Sequence, residues 1–176
     1  MNEISDRHIV ITGLMGVGKS TTGMAVASTI GWPYVDSDDD IEFLLGTSGR
    51  DLADEDGIAT LHRIEAAVLL GALARPQPHV IGAAASVVED LVVVRALARR
   101  AFVVRLELSI DETLARQASG THRRPMERLE LASLASKREP MFRELEDLRL
   151  SAAEPVESLV GRIIEAAGVF SSGAKP

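Results

Sequence analysis

The sequence predicts an α/β fold, a five-stranded parallel sheet flanked by helices. Three observations predict it. Short apolar runs alternate with longer stretches of helical character, as in successive βαβ units, which bury a parallel sheet on both faces. The first run, HIVIT, leads directly into the glycine-rich loop GLMGVGKS and then into a helical stretch. The 176 residues are 46% apolar, enough to bury a core in one compact domain.

The elements follow in order. His8–Thr12 reads as a short buried strand, and Lys19–Ile30 as a helix stopped by Gly31-Trp32-Pro33. Tyr34-Val35 starts a second strand that ends at DSDDD, Asp36 to Asp40. Two or three helices come next, the longest about Gly57–Ala74, closed by the breaker cluster RPQP. His79–Gly82 is a third strand running into AAAS, and a helix covers roughly Glu89–Ala98. Ala101–Leu108 is a longer strand. The helix Ile110–Ala118 precedes SGTHRRP, a polar, basic loop rich in breakers. A charged helix covers about Glu127–Glu146, with a solvated face suited to i,i+4 ion pairs. Leu148–Ser151 is the last strand, and Pro155 opens the helix Val156–Ala167. One domain is expected over residues 1–170, with a flexible tail at 171–176. His8 and His79, near strand starts, read as structural.

Composition excludes several function classes. The net charge of −7 argues against a broad electrostatic grip on nucleic acid or an anionic membrane. The absence of cysteine removes disulfides, thiolate metal sites and a cysteine nucleophile. No apolar run approaches the roughly 20 residues that span a bilayer, and MNEISDRHIV does not resemble a signal peptide. The expectation is a cytoplasmic monomer that acts on a small molecule, with no nucleic-acid or membrane partner.

Gly13-Leu14-Met15-Gly16-Val17-Gly18-Lys19-Ser20 fits the Walker A (P-loop) pattern G-x-x-x-x-G-K-[ST]. Its glycines let backbone N–H groups curl around an oxyanion, and the helix that follows adds unpaired N–H groups and a positive dipole end. Lys19 suits the β- and γ-phosphates of a bound nucleotide, and Ser20 suits Mg²⁺, which prefers oxygen ligands. The carboxylates of DSDDD end a strand beside this loop. Asp36 and Asp38 are candidates for holding Mg²⁺ or orienting a hydroxyl for attack, since phosphoryl transfer asks mainly for positioning and charge neutralisation. Asp39 and Asp40 read as solvated helix-start residues. Arg124, and less so Arg123, is a candidate lid cation flanked by breakers.

With these pieces the sequence resembles the shikimate kinase family of small P-loop kinases, over about Ile9 to Ala167. The resemblance lies in GLMGVGKST, GWPYVDSDDDIE, the segment IEFLLGTSGRDLADEDGIATLHRIEAAVL, RRPM, SKREPMFREL and AAEP. It implies an ATP-dependent phosphotransferase with an alcohol acceptor and MgATP as the donor. By position it implies that Gly13, Met15, Gly16, Val17, Gly18, Lys19, Ser20 and Thr21 hold ATP, with Ser20 and Asp36 serving the metal. Asp38 would orient or deprotonate the acceptor hydroxyl, Arg124 would be the lid arginine and Arg138 would bind the acceptor's carboxylate. Arg116 and Pro155 would lie near adenine. The acceptor-binding segment would be about 36–66 and the lid about 117–127.

Two departures fall on the acceptor side. His62 stands where the family pattern has an arginine, with Glu65 fixing the register, and Ala84-Ala85-Ser86 stand where it has three glycines. Arginine binds a carboxylate through a rigid fork and is always charged. Histidine is shorter and mostly neutral at pH 7. Arg63 lies about 100° away around a helix and does not simply replace the lost arginine. Each alanine adds a methyl and restricts φ. These losses imply a reshaped acceptor pocket in which His62, Ala84, Ala85 and Ser86 meet a small hydroxylated acceptor other than shikimate. The readings set against this are a true shikimate kinase, a gluconate-kinase-like enzyme, and a nucleotide-binding regulator without turnover.

Overall fold

The computed structural model describes residues 7–119 and 126–169. Arg123, Arg124 and most of the expected lid therefore lie outside the described residues, as does the tail at 171–176. Five strands form one parallel sheet: β1 (His8–Thr12), β2 (Tyr34–Asp36), β3 (Val80–Gly82), β4 (Ala101–Glu107) and β5 (Leu148–Ser151), in the order β2-β3-β1-β4-β5. The helices are α1 (Lys19–Ile30), α2 (Ser37–Leu45), α3 (Gly49–Asp56), α4 (Ile58–Leu73), α5 (Leu91–Arg100), α6 (Ile110–Ser119), α7 (Arg128–Leu145) and α8 (Val156–Ala166).

The central strand, HIVIT, is buried along its whole length, as a parallel strand covered on both faces must be. Its side chains alternate between two cores. Ile9 and Ile11 pack with Val26 and Ile30 of α1 and with Leu159 and Ile163 of α8. Val10 faces the other layer, with Leu69 and Leu73 of α4, Val93 and Leu97 of α5, and Phe142 of α7. Each such side chain contributes roughly 1.5–3 kcal/mol by leaving water. His8 and His79 serve the structure: His8 Nδ1 accepts the His79 backbone N–H at 3.1 Å.

The α5 region differs from the sequence reading. A 3₁₀ turn occupies Ala85–Glu89, and α5 begins at Leu91 because Asp90 caps it, accepting from the N–H groups of Val92 and Val93. Pro140 sits inside α7, as the expected span requires, and the buried Phe142 and Leu145 hold the turn that follows it.

The order places β1 between β3 and β4, where successive crossovers leave in opposite directions. Ligands of open parallel sheets bind at the strand carboxyl ends at such a switch point. The loops after β1, β2 and β3 all open there. Among the described residues no helix is long and apolar enough to cross a membrane.

Candidate active site

The loop after β1 depends on backbone angles that only glycine adopts readily. Gly13, Gly16 and Gly18 have φ of +143°, +82° and +97°. A Cβ on Gly13 would also lie 2.2 Å from the Leu106 carbonyl oxygen of β4. Lys19 Nζ donates to the carbonyl oxygens of Gly13 at 3.1 Å and Leu14 at 3.2 Å, which holds the ammonium across the loop. Met15, Gly16, Gly18, Lys19, Ser20 and Thr21 line a cleft of about 350 Å³. Val17 instead buries its side chain in the core, anchoring the loop from below.

Asp36, at the end of β2, gathers three donors. Ser20 Oγ donates to its Oδ2 at 2.7 Å, Tyr34 Oη donates to the same oxygen at 2.6 Å, and the Asp38 N–H donates to Oδ1 at 3.0 Å. Asp36 is thus also the N-cap of α2, which presents Asp38 in its first turn. Burial, and then the bond to Asp36, pushes the Tyr34 phenol above its ordinary range, so it stays a donor. Two glycines make room for that phenol: a Cβ on Gly23 would meet its ring at 2.5 Å, and one on Gly82 its oxygen at 2.5 Å. Asp39 is pushed above the usual carboxylate value by burial first and then by Asp36 and Asp38, while Asp40 pairs with Arg75. Ser20 and Asp36 offer two hard oxygens side by side, a donor set that suits Mg²⁺. Among the described residues there is no cluster of three or more His, Asp or Glu side chains able to hold a metal alone.

The acceptor side of the cleft is walled by α4, the turn after β3, and α7. His62 and Glu65 line it from α4, Ala84, Ala85 and Ser86 from the turn, and Arg138 from α7. Arg63 is exposed and bonds Thr60, so it does not stand in for the missing arginine. The Ser86 hydroxyl, buried, donates to Glu65. Ala84 has φ −61° and ψ 151°, and among the described residues every positive φ belongs to glycine. The alanines therefore do not strain this turn; their methyls alone change the pocket. Arg138 is buried, with Nε and Nη2 each 2.8 Å from Glu89 Oε1.

On the far side of the loop, Arg116 donates to the carbonyl oxygens of Val17 at 3.1 Å and Ala152 at 2.8 Å. It ties the loop to the turn that ends at Pro155, the N-cap of α8. Gln117 Nε2 donates to the Met15 carbonyl at 3.3 Å and its Oε1 accepts the Met126 N–H at 3.1 Å, so the described ends of the expected lid meet at the loop.

The structure thus gathers Lys19, Ser20, Thr21, Asp36, Asp38, His62, Ala84, Ala85, Ser86 and Arg138 around one cleft. Sequence reasoning missed Tyr34, Gln117 and Glu89. Tyr34 was legible: it lies two residues before Asp36 on one strand and so shares its face. Glu89 lies 49 residues from Arg138, and no local pattern links them.

A family model described as shikimate kinase matches residues 15–167. The shikimate kinase of Chromobacterium violaceum is 32% identical over 163 residues, covering 90% of this chain and 88% of its own. That of Shewanella frigidimarina is 33% identical over 168 residues, covering 92% and 97%. A shikimate kinase from Acinetobacter baumannii, solved in complex with shikimate, superposes with a TM-score of 0.82 at 22% identity over 92% of each chain, a likeness that speaks for the fold.

Proposed function

We propose, for a chain that belongs to the shikimate kinase family of ATP- and Mg²⁺-dependent P-loop kinases, an acceptor that is a small hydroxylated molecule lacking shikimate's carboxylate. The γ-phosphoryl group of ATP passes to an acceptor hydroxyl. Lys19 and the positive-φ loop hold the phosphates, and Ser20 and Asp36 would hold Mg²⁺, which neutralises phosphate charge when bound. Asp38 receives and orients the acceptor hydroxyl, and Arg124 closes over the nucleotide from a lid at 117–127. Residues 36–66 form the acceptor-binding segment of a single domain.

The observation that carries the altered acceptor is the wall made by His62, Ser86, Glu65 and Arg138. Among the described residues Arg138 is the one arginine that lines this cleft, and it already faces a carboxylate in Glu89. On the acceptor side, Asp38 and Glu65 oppose a bound anion. A missing arginine fork costs a carboxylate ligand about 1.5–3 kcal/mol, roughly ten- to a hundredfold in affinity. A neutral polyol needs no such fork and can bond to His62. A second reading, shikimate itself, is favoured by the presence of Arg138 on the wall and by the likeness to the shikimate kinases of Chromobacterium violaceum and Shewanella frigidimarina.

The test is Mg²⁺-dependent ADP release with shikimate, quinate, gluconate, inositols and other cyclitols, with Lys19→Ala as the control. The proposal expects turnover on a neutral acceptor. Efficient turnover on shikimate overturns it, and no acceptor-dependent ADP from any compound supports a regulator. His62→Arg should raise shikimate activity, since Glu65 lies three residues on and can orient the new guanidinium. Adding glycine at Ala84, Ala85 and Ser86 should raise it further.

A further inference from the structure

We infer that Glu89 is a specificity-determining residue of this cleft: by pairing with Arg138 it cancels the charge that would attract an acceptor carboxylate. The inference rests on the proposed acceptor side and deepens it. Glu89 does not itself line the cleft; it stands behind Arg138, at the end of the 3₁₀ turn Ala85–Glu89. Burial alone would raise its pKa, but the bonds from Lys137 and Arg138 outweigh that and hold it below the usual value, so it is ionised at neutral pH.

The three charges are not equivalent. The Arg138 side chain is 6% exposed and bonds Glu89 through its Nε and Nη2 atoms. Lys137 bonds the other carboxylate oxygen from a side chain 57% exposed, where water screens it. The field that Arg138 projects into the cleft is therefore opposed at direct contact, while the compensating ammonium lies toward solvent. Arginine has five N–H donors in a fixed fork. Glu89 takes the Nε edge and leaves Arg138 as a hydrogen-bond donor with little net charge. Such a group suits a hydroxyl or carbonyl better than a carboxylate, whose desolvation needs an opposing charge.

The same turn builds the opposite wall. Its Ser86 hydroxyl bonds Glu65 of α4 while its Glu89 bonds Arg138 of α7. One five-residue turn thus sets the polar partners of both sides of the acceptor cleft.

Calorimetric titration in the presence of MgADP, using shikimate and its neutral carboxamide as probes, tests the inference on the full chain. Glu89→Gln keeps a hydrogen-bond acceptor for Arg138 and removes the charge. It should tighten shikimate binding about tenfold and change carboxamide binding less than about twofold. Lys137→Met, at an exposed position, should move the ratio the other way by about twofold. An unchanged ratio in Glu89→Gln, equal loss of both ligands, or no binding of either overturns the inference. If Glu89→Gln does not fold, the ratio in Lys137→Met decides it alone. Efficient shikimate turnover by the wild type would defeat the proposed acceptor, yet the ratio would still report what Glu89 does.

Discussion

Replacing Gly82, which lines the cleft beside Asp36, with alanine should strike the metal side of the site by displacing Tyr34. The new Cβ would lie 2.5 Å from the Tyr34 hydroxyl and 3.0 Å from Asp36 Oδ2. The first distance is impossible for real atoms, so Tyr34 must move. Its ring has little freedom, because it packs against Gly23 of α1. Overpacking of this kind costs about 1–3 kcal/mol. Displacing the hydroxyl also breaks its 2.6 Å bond to Asp36, a charge-assisted bond worth about 1.5–3 kcal/mol. Gly82→Ala should therefore lose about 2.5–6 kcal/mol, or roughly 5–24 °C of melting temperature for a chain of this size. It should also raise the Mg²⁺ concentration needed for half-maximal activity, because Asp36 holds Ser20. Tyr34→Phe removes the clashing oxygen. In a double-mutant cycle, Gly82→Ala should cost at least about 1 kcal/mol less in the Tyr34→Phe background. Thermal melting of the four proteins measures this. Equal costs in both backgrounds, or a Gly82→Ala variant as stable as the parent, would refute the packing argument.

Three further outcomes follow from the geometry. Asp38→Asn should lower kcat about a hundredfold or more in an ADP-release assay while keeping the cap of α2, which is the Asp36 carboxylate bonded to the backbone N–H of residue 38. Arg116→Ala should raise KM for ATP about tenfold by freeing the loop from the turn before α8, with a smaller effect on KM for the acceptor. Glu139 is held down to about 2, first by the Arg105 hydrogen bond and then by that of Arg143. With an ordinary value of about 4.3 in the unfolded chain, its contribution is fully present above that pH and is lost as pH falls toward 2. Denaturation midpoints between pH 5 and 3 should consequently fall less steeply in Glu139→Gln.

What the sequence made legible is what local chemistry determines. The strand, loop and helix from His8 to Ile30 could be read because three glycines, a lysine and a serine at fixed spacing leave the backbone one way to turn. Asp36 and Asp38 could be placed because a strand ends at the first and the second falls in the opening turn of the helix that follows. The start of α5 was misread because Asp90 was not recognised as a cap, although Asp is among the strongest cap formers. The role of Glu89 had no such signal, because its partner lies on α7 and only the fold brings them together.

That difference bears on how the acceptor side should be read. A missing arginine at position 62 looks, in sequence, like the loss of one contact. In the structure Glu65 has a buried partner in Ser86, and Arg138 is matched by Glu89. Glu65 thus has a hydrogen-bond donor and Arg138 an opposite charge, both supplied by one turn. A pocket damaged by drift would be expected to leave a buried carboxylate or guanidinium exposed to an uncompensated environment, at a cost of several kcal/mol. Here the turn supplies a partner to each of the two groups, Ser86 to Glu65 and Glu89 to Arg138. The proposed uncharged acceptor is consistent with such a pairing, and the paired titrations of shikimate and its carboxamide test it.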